Sequence, residues 1–494
     1  MLKVQRAANL DSRLKAFVYQ VDAVEAVKDL EYAAIFHEQG LGKTKIALDL
    51  TLLWLKDDIV DSVLIVTKKG LVSNWRDEIT AHSFLSPRIL DQDRKANFYA
   101  LNSPARIYLT HYEVLKSEQK RLALFLKTRR VAVFLDEAHR IKNPESDLTQ
   151  ALLKLAPSFR RRVVMTGTPI ANRPYDLWSQ IKFLDHGAAL GNDFGSFRHS
   201  LDLSNDLAHR DDRARAFEDA LEKIFGRIRP FSVRETKATA GIVLPDKHIS
   251  NVLVDLESRQ EEIYNRFRDE MSAVVIRAGK PILDEADDLL KRLLRLVQVA
   301  SNPALVDQSY KAEPGKLPML LSLLGDAVDA GGKAIVWTAF TENADWLTRR
   351  LEMFDAVCVH GKLRYTDRGR ALSAFKNDEH CRVLVATPGA AKEGLTLTVA
   401  NYAIFYDRSF SLDDYLQAQD RIHRISQGKP CFVYNLIARN TIDEWVDRLL
   451  AAKHLAAQLG QGDITREQYN AQANYEFGEM IRDVLRLDVR QTAA

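Results

Sequence analysis

The chain has 494 residues, about three times the ~150-residue norm for one domain, so two to four domains are expected. Hydrophobic residues make up 46% and charged residues 28%, a balance that excludes extended disorder and supplies more than one core. Lys+Arg number 70 against 67 Asp+Glu, a formal +3, which excludes a histone-like polycation but leaves room for a local basic track.

Cys358, Cys381 and Cys431 stand too far apart for a CxxC metal pair or a disulfide framework, and they fit a reducing compartment. No uninterrupted apolar run indicates a membrane span. The N-terminal MLKVQRAANLDSRLK carries charges where a signal peptide needs its apolar segment. The expectation is a cytoplasmic protein without a membrane partner.

Short β-rich apolar runs alternate with longer helix-patterned segments. In the first half the runs are Ala33–Phe36, Val63–Thr67, Arg106–Thr110, Val131–Leu135 and Arg162–Met165. In the second they are Ala334–Thr338, Ala356–His360, Arg382–Ala386, Tyr402–Tyr406 and Cys431–Leu436. Such runs, separated by helices, argue for strands buried on both faces and hence for two α/β lobes with parallel sheets. The intervening Asp185–Asp326 reads as mostly helical and charged. One stretch there sets Leu289, Leu290, Leu293, Leu294, Leu296 and Val297 at helical spacing. Near the end, Thr441 and Glu444 make a capping-box pattern before Ile442, Trp445, Val446, Leu449 and Leu450, one apolar helix face.

Chemistry enters early in the chain. Gln20 follows Phe17 and Tyr19 and offers the bidentate amide that matches adenine, though a plain surface glutamine is the alternative. Gln39-Gly40-Leu41-Gly42-Lys43-Thr44 lies between an apolar run and a helical stretch, the strand–turn–helix context of a phosphate loop. There, backbone amides of Gly40 and Gly42 and the helix start face the anion, Lys43 meets the β/γ-phosphates and the Thr44 hydroxyl binds Mg²⁺. His37 stands where the full GxxxxGKS/T pattern has its first glycine, so the six residues alone also suit an accidental turn.

Asp136-Glu137-Ala138-His139 follows the fourth run. An Asp at a strand end suits a Mg²⁺ ligand, and the adjacent Glu can orient and deprotonate water. Thr166-Gly167-Thr168-Pro169 follows the fifth run and reads as a lobe-coupling element or as a simple turn. Far downstream, Gln417, Arg421 and Arg424 belong to the densest polar cluster. Arg421 and Arg424 share a face if helical, and can serve as arginine fingers or as an ordinary ion-paired surface helix.

Taken in order, these blocks resemble the Swi/Snf family of superfamily-two helicase-fold ATPases. HEQGLGKT is similar to motif I, FLDEAHRIKN to motif II, MTGTPIAN to motif III, KAIVWTAFTENADWL to motif IV, ATPGAAKEGLTLTVANYAIFYD to motif V and QAQDRIHRISQGK to motif VI. RPFSVRETKATAGIVLPDKH and LLRLVQVASNPALV look like the family's linker and protrusion markers. The likeness runs from about Tyr19 to Lys453 and best fits the compact bacterial or phage-like branch.

The resemblance implies two RecA-like parallel-sheet lobes, helical insertions between motifs III and IV, and a C-terminal helical brace. It sets the first lobe at 1–240 with a protrusion near 185–240. The second spans 241–494, with a protrusion near 255–310, motifs IV–VI at about 316–440 and final helices at 441–494. It implies an ATP- and Mg²⁺-using, DNA-dependent ATPase that moves along double-stranded DNA. Lys43, Thr44, Gly40, Gly42, Gln20 and Gly394 would then hold nucleotide, and Thr44 and Asp136 Mg²⁺. Glu137 would activate water, with Arg421, Arg424 and Gln417 completing catalysis. Lys68, Lys69, His111, Tyr112 and Lys392, all just past strand ends, are candidate phosphate-backbone grips; Arg210, Arg213, Arg215, Arg227 and Arg229 extend that track. A strand-separating or branch-migrating helicase, and an ATP-gated DNA scaffold for a protein partner, are the competing readings.

Overall fold

The computed structural model describes residues 8–170, 174–199, 201, 211–277, 286–390 and 397–472. Strands β1 (Tyr32–Ile35), β2 (Ser62–Thr67), β3 (Arg88–Ile89), β4 (Ile107–His111), β5 (Val131–Asp136), β6 (Arg161–Met165) and β7 (Ser232–Val233) form one sheet. Its order is β3-β4-β2-β5-β6-β1-β7, and every described pairing is parallel. β2 and β4 are buried along their whole length, which is why they read as continuous apolar runs rather than alternating ones.

The register decides where chemistry can occur. Ile35 lies opposite Met165, Met165 opposite Asp136, and Thr67 opposite His111. The strands therefore end level with one another, and the segments after β1, β5, β6 and β2 open on the same edge. Parallel α/β sheets bind ligands at that carboxyl edge.

A second sheet is built from β8 (Lys247–Val254), β9 (Ala334–Trp337), β10 (Val357–Val359), β11 (Val383–Ala386), β12 (Tyr402–Phe405) and β13 (Cys431–Ala438), in the order β10-β11-β9-β12-β13-β8. It too is parallel throughout. Every apolar run expected as a strand forms one, giving the two parallel-sheet α/β lobes. β8 breaks the expectation of a mostly helical 185–326. It is an edge strand exposed along nearly all its length, so neither burial nor alternation marked it.

Around β8 the helical expectation holds, with helices Asp211–Ile228, Ser258–Arg277, Ala286–Ser301 and Lys316–Asp329. Leu293, Leu296 and Val297 pack with Trp445, Val446 and Leu450 of helix Ile442–Gln461 in one apolar cluster. The cap of that last helix differs in detail from the box in the sequence. The Glu444 carboxylate accepts from the Asn440 N–H at 3.0 Å, and the Thr441 hydroxyl accepts from the Asp443 N–H at 3.2 Å. Both side chains satisfy helix-start donors, each with a neighbour of the expected partner.

By backbone contacts the described chain forms two units. The first takes in the residues through Leu201, then Arg215–Val243 and Ala456–Tyr469; the second takes in 211–214, Leu244–Leu455 and 470–472. The Ala456–Tyr469 stretch, expected with the second lobe, groups with the first. There Asp463 accepts from Arg234 Nε at 2.7 Å, and Arg466 donates to Glu218 and Asp219 at 2.8 Å each. No helix among the described residues is long and apolar enough to cross a membrane.

Candidate active site

The loop after β1 is shaped by two glycines in the left-handed region, Gly40 at φ +87° and Gly42 at φ +69°, where a side chain would be strained. A Cβ on Gly42 would also collide with Gln20 Nε2. Gly42 caps helix Lys43–Lys56 and its carbonyl accepts from the Lys45 and Ile46 amides, while the amides at the very start of a helix lack intrahelical acceptors and suit an anion. The Lys43 ammonium folds back over the loop and donates to the carbonyls of His37 at 2.9 Å and Glu38 at 3.3 Å. Thr44 follows it, half-buried.

Gln20 lies against this loop, but its amide already has work. Oε1 accepts from the Phe17 N–H at 3.0 Å, and Nε2 donates to the Leu41 carbonyl at 3.2 Å. It braces the glycine turn, Nε2 also reaching the Tyr19 hydroxyl at 3.4 Å, so pairing with adenine would use the second lone pair of Oε1 and redirect one Nε2 hydrogen. Thr166, Gly167 and Thr168 are buried beside the loop. The Thr168 N–H donates to the Thr166 hydroxyl at 3.2 Å, closing a turn. A Cβ on Gly167 would stand 2.9 Å from the Gln39 side chain, so glycine lets the two loops touch.

Asp136 ends β5 on the same edge. Its Oδ2 accepts from Thr67 Oγ1 at 2.9 Å and from Trp75 Nε1 at 2.8 Å, while Oδ1 takes neither bond. The Tyr112 hydroxyl donates to the Asp136 carbonyl at 2.7 Å. Burial, and then the Glu137 charge, push the Asp136 carboxyl above its ordinary range. Glu137 sits at φ +52°, a left-handed conformation uncommon for a residue with a side chain and typical of functional turns. His139 Nδ1 stands 3.3 Å from its Oε2.

This donor set fits a magnesium nucleotide. Two glycines put no side chain of their own over the loop amides, and the candidate metal ligands, the Thr44 hydroxyl and the Asp136 carboxylate, are hard oxygens suited to Mg²⁺. A softer metal has less to recommend it elsewhere. Asp345, Cys358 and His360 bring ligand atoms within 4.8 Å of one another. However, the Lys362 N–H donates to His360 Nδ1 at 3.2 Å, which leaves the ring proton on Nε2, 2.9 Å from Asp345. That arrangement is satisfied by a proton.

In the second unit, Gln417 is buried on helix Leu412–Gln419 and donates to Asp413 Oδ1 at 2.7 Å. The helix ends there, so Arg421 and Arg424 do not share a helical face as expected; both stand on the turn that follows. Gln427 holds that turn by donating to the carbonyls of Ile422 at 2.8 Å and Ala400 at 2.9 Å. Arg424 Nε donates to the Asp420 carbonyl at 2.9 Å. Arg421 is buried and Arg424 half-buried.

Among the candidate grips, Lys69 is exposed and Lys68 half-buried. His111 and Tyr112 are corrected: both are buried, one beside Glu113 at 2.7 Å and the other bonded to Asp136. Position after a strand end did not bring them to the surface, because His111 is taken up by the nearby Glu113 and Tyr112 by the backbone at the end of β5. Arg215, Arg227 and Arg229 are exposed. Lys392, Gly394 and Arg210 lie outside the described residues, as does the side chain of Arg213.

Sequence reasoning missed a supporting layer. Thr67 and Trp75 hold Asp136. Arg234 Nη1 donates to the Phe36 carbonyl at 2.7 Å, and the Lys237 N–H donates to Glu38 Oε2 at 2.8 Å. The only trace was the RETK stretch within the linker marker, whose pairing with the loop after β1 no local pattern reveals.

A model of the SNF2-related domain matches residues 19–305, and one of the helicase conserved C-terminal domain matches residues 315–426. An uncharacterized ATP-dependent helicase of Mycoplasma pneumoniae is 28% identical over 88% of this chain and 41% of its own length. The human SWI/SNF-related matrix-associated actin-dependent regulator of chromatin subfamily A member 1 is 26% identical over 90% of this chain and 43% of its own. The chain thus spans about two fifths of these relatives. Among solved structures, the Sulfolobus solfataricus SWI2/SNF2 ATPase core in complex with dsDNA is 24% identical, covering 99% of this chain and all of that one, with a TM-score of 0.42.

Proposed function

The chain belongs to the SNF2-related family, and from that premise we propose that it is a DNA-dependent ATPase that uses ATP to move along double-stranded DNA. The observation that carries the ATPase reading is the shared edge of the first sheet. The Lys43–Thr44 loop after β1 and the Asp136–Glu137 pair ending β5 both open there.

The loop amides and Lys43 would bind and orient the triphosphate. Thr44 and Asp136 would hold Mg²⁺, which would supply neutralisation of the charge that develops on the phosphates. Glu137 would orient the attacking water and take its proton. Arg421 and Arg424, with Gln417 beside them, would stabilise charge on the transferring phosphoryl group, a contribution of about 10³–10⁵ in rate where an arginine finger is used.

The duplex-DNA part rests on the family resemblance and on the exposed Lys69, Arg215, Arg227 and Arg229, which can meet phosphates without reading bases. The test is an ATPase titration with duplex DNA, single-stranded DNA and RNA side by side, repeated at two salt concentrations. Strongest stimulation by duplex, weakened by salt and indifferent to sequence, is expected. Turnover that ignores DNA, or responds only to RNA, would discard the translocase.

A further inference from the structure

The segment after β7 puts a second lysine on the phosphate loop. The Phe36 N–H donates to the Val233 carbonyl and the Glu38 N–H to the Glu235 carbonyl, both at 2.8 Å, so the segment runs on beside the loop as an extra strand would. Lys237 then turns inward. Its N–H reaches Glu38 Oε2 at 2.8 Å and its Nζ stands 3.2 Å from Glu38 Oε1. Its Cε lies 3.9 Å from where a Cβ on Gly40 would be, so the stem crosses the bare glycine. The side chain is buried.

Which end of the triphosphate this faces follows from Lys43. A phosphate-loop lysine meets the β/γ-phosphates, and the Lys43 ammonium is within 3.3 Å of the Glu38 carbonyl. The Glu38 end of the loop is therefore on the β/γ-phosphate side, and Lys237 is already held there by Glu38.

We propose that Lys237 is a phosphate-contacting residue that distinguishes the triphosphate from the diphosphate, exchanging the Glu38 carboxylate for the terminal phosphate when ATP binds. This rests on the nucleotide reading above and adds a residue to it. An ammonium that gains a dianionic terminal phosphate makes a charge-assisted hydrogen bond that a diphosphate, ending short of it, cannot supply. Lys237 is carried on the segment that enters the second unit at Leu244, so the presence of the terminal phosphate would be registered in that connecting segment.

The experiment is calorimetric titration of the full chain with AMP-PNP and with ADP, in wild type, Lys237→Met, and Glu38→Gln/Lys237→Met. Loss of one charge-assisted bond predicts about 10–100-fold weaker AMP-PNP binding in Lys237→Met, with ADP changed by less than about threefold. The double variant should keep that loss of selectivity. Equal weakening of both nucleotides would make Lys237 a loop support and overturn the proposal, as would no weakening. Selectivity restored in the double variant would overturn it too, because the unmasked Glu38 carboxylate would then be the cause. A wild-type chain that binds neither nucleotide would overturn the nucleotide reading itself.

Discussion

Asp136 and Asp407 occupy equivalent places in the two sheets, one ending β5 and the other just past β12, and both are held above the ordinary carboxylate range mainly by burial. Their hydrogen bonds differ. Asp407 spends both oxygens: Oδ2 accepts from Ser301 at 2.6 Å, Thr338 at 2.7 Å and Asn343 at 3.3 Å, and Oδ1 from the Ala339 N–H at 2.6 Å. Asp136 takes its two side-chain donors on Oδ2 alone. A carboxylate consumed on both oxygens is a lock between elements. One anchored by a single oxygen is oriented and still able to bind something else.

The largest effect that tests this contrast is on stability. Asp407→Ala leaves several buried donors without an acceptor and should cost about 3 kcal/mol or more, read as an earlier denaturant transition. A cost below about 1 kcal/mol would erase the structural half of the comparison. Asp136→Asn keeps the shape and the Thr67 and Trp75 donors but weakens a metal ligand. Turnover should fall about 10–100-fold, on the scale seen for residues that support a metal site, while the unfolding transition moves by less than about 1 kcal/mol.

His37 sharpens the picture of the loop as a place hostile to added positive charge. Burial first, and then the Lys43 ammonium, push its ring down to about 4 from 6.5. Between those values the unfolded chain carries a proton there that the folded chain refuses. Stability is therefore intact above pH 6.5 and falls as pH drops toward 4, by about 1.4 kcal/mol per unit. His37→Gln should flatten that acid slope in thermal melts between pH 7 and pH 5, and an unchanged slope would assign it to other groups.

The smallest effect is at Trp75. Trp75→Phe removes one donor that favours the ionised Asp136, so its carboxyl should rise further and the acid limb of turnover should move up by under about one pH unit. A downward shift would contradict the assigned hydrogen bond.

The same two aspartates mark what was legible in the sequence. Each follows a buried apolar run, in FLDEAH and IFYDRS, and nothing local says which is spent. That depends on Ser301, Thr338 and Asn343, which come from distant segments. Strands and the glycine loop were legible because burial on both faces and left-handed backbone leave local marks, in continuous apolar runs and in glycines. β8 was not, since an exposed edge strand has no apolar run. The buried fates of His111 and Tyr112, and the turn carrying Arg421 and Arg424, depend on Glu113, on the Asp136 carbonyl and on Gln427, which the spacing of those residues does not reveal.

The central claim is that the shared edge of the first sheet hydrolyses nucleotide, with Glu137 serving the attacking water. The most direct measurement pairs ATP affinity with turnover in Glu137→Gln at saturating duplex DNA. The account predicts affinity within about threefold of wild type and turnover lower by about 10²–10⁴. Turnover near wild type, or affinity lost in step with turnover, would contradict it.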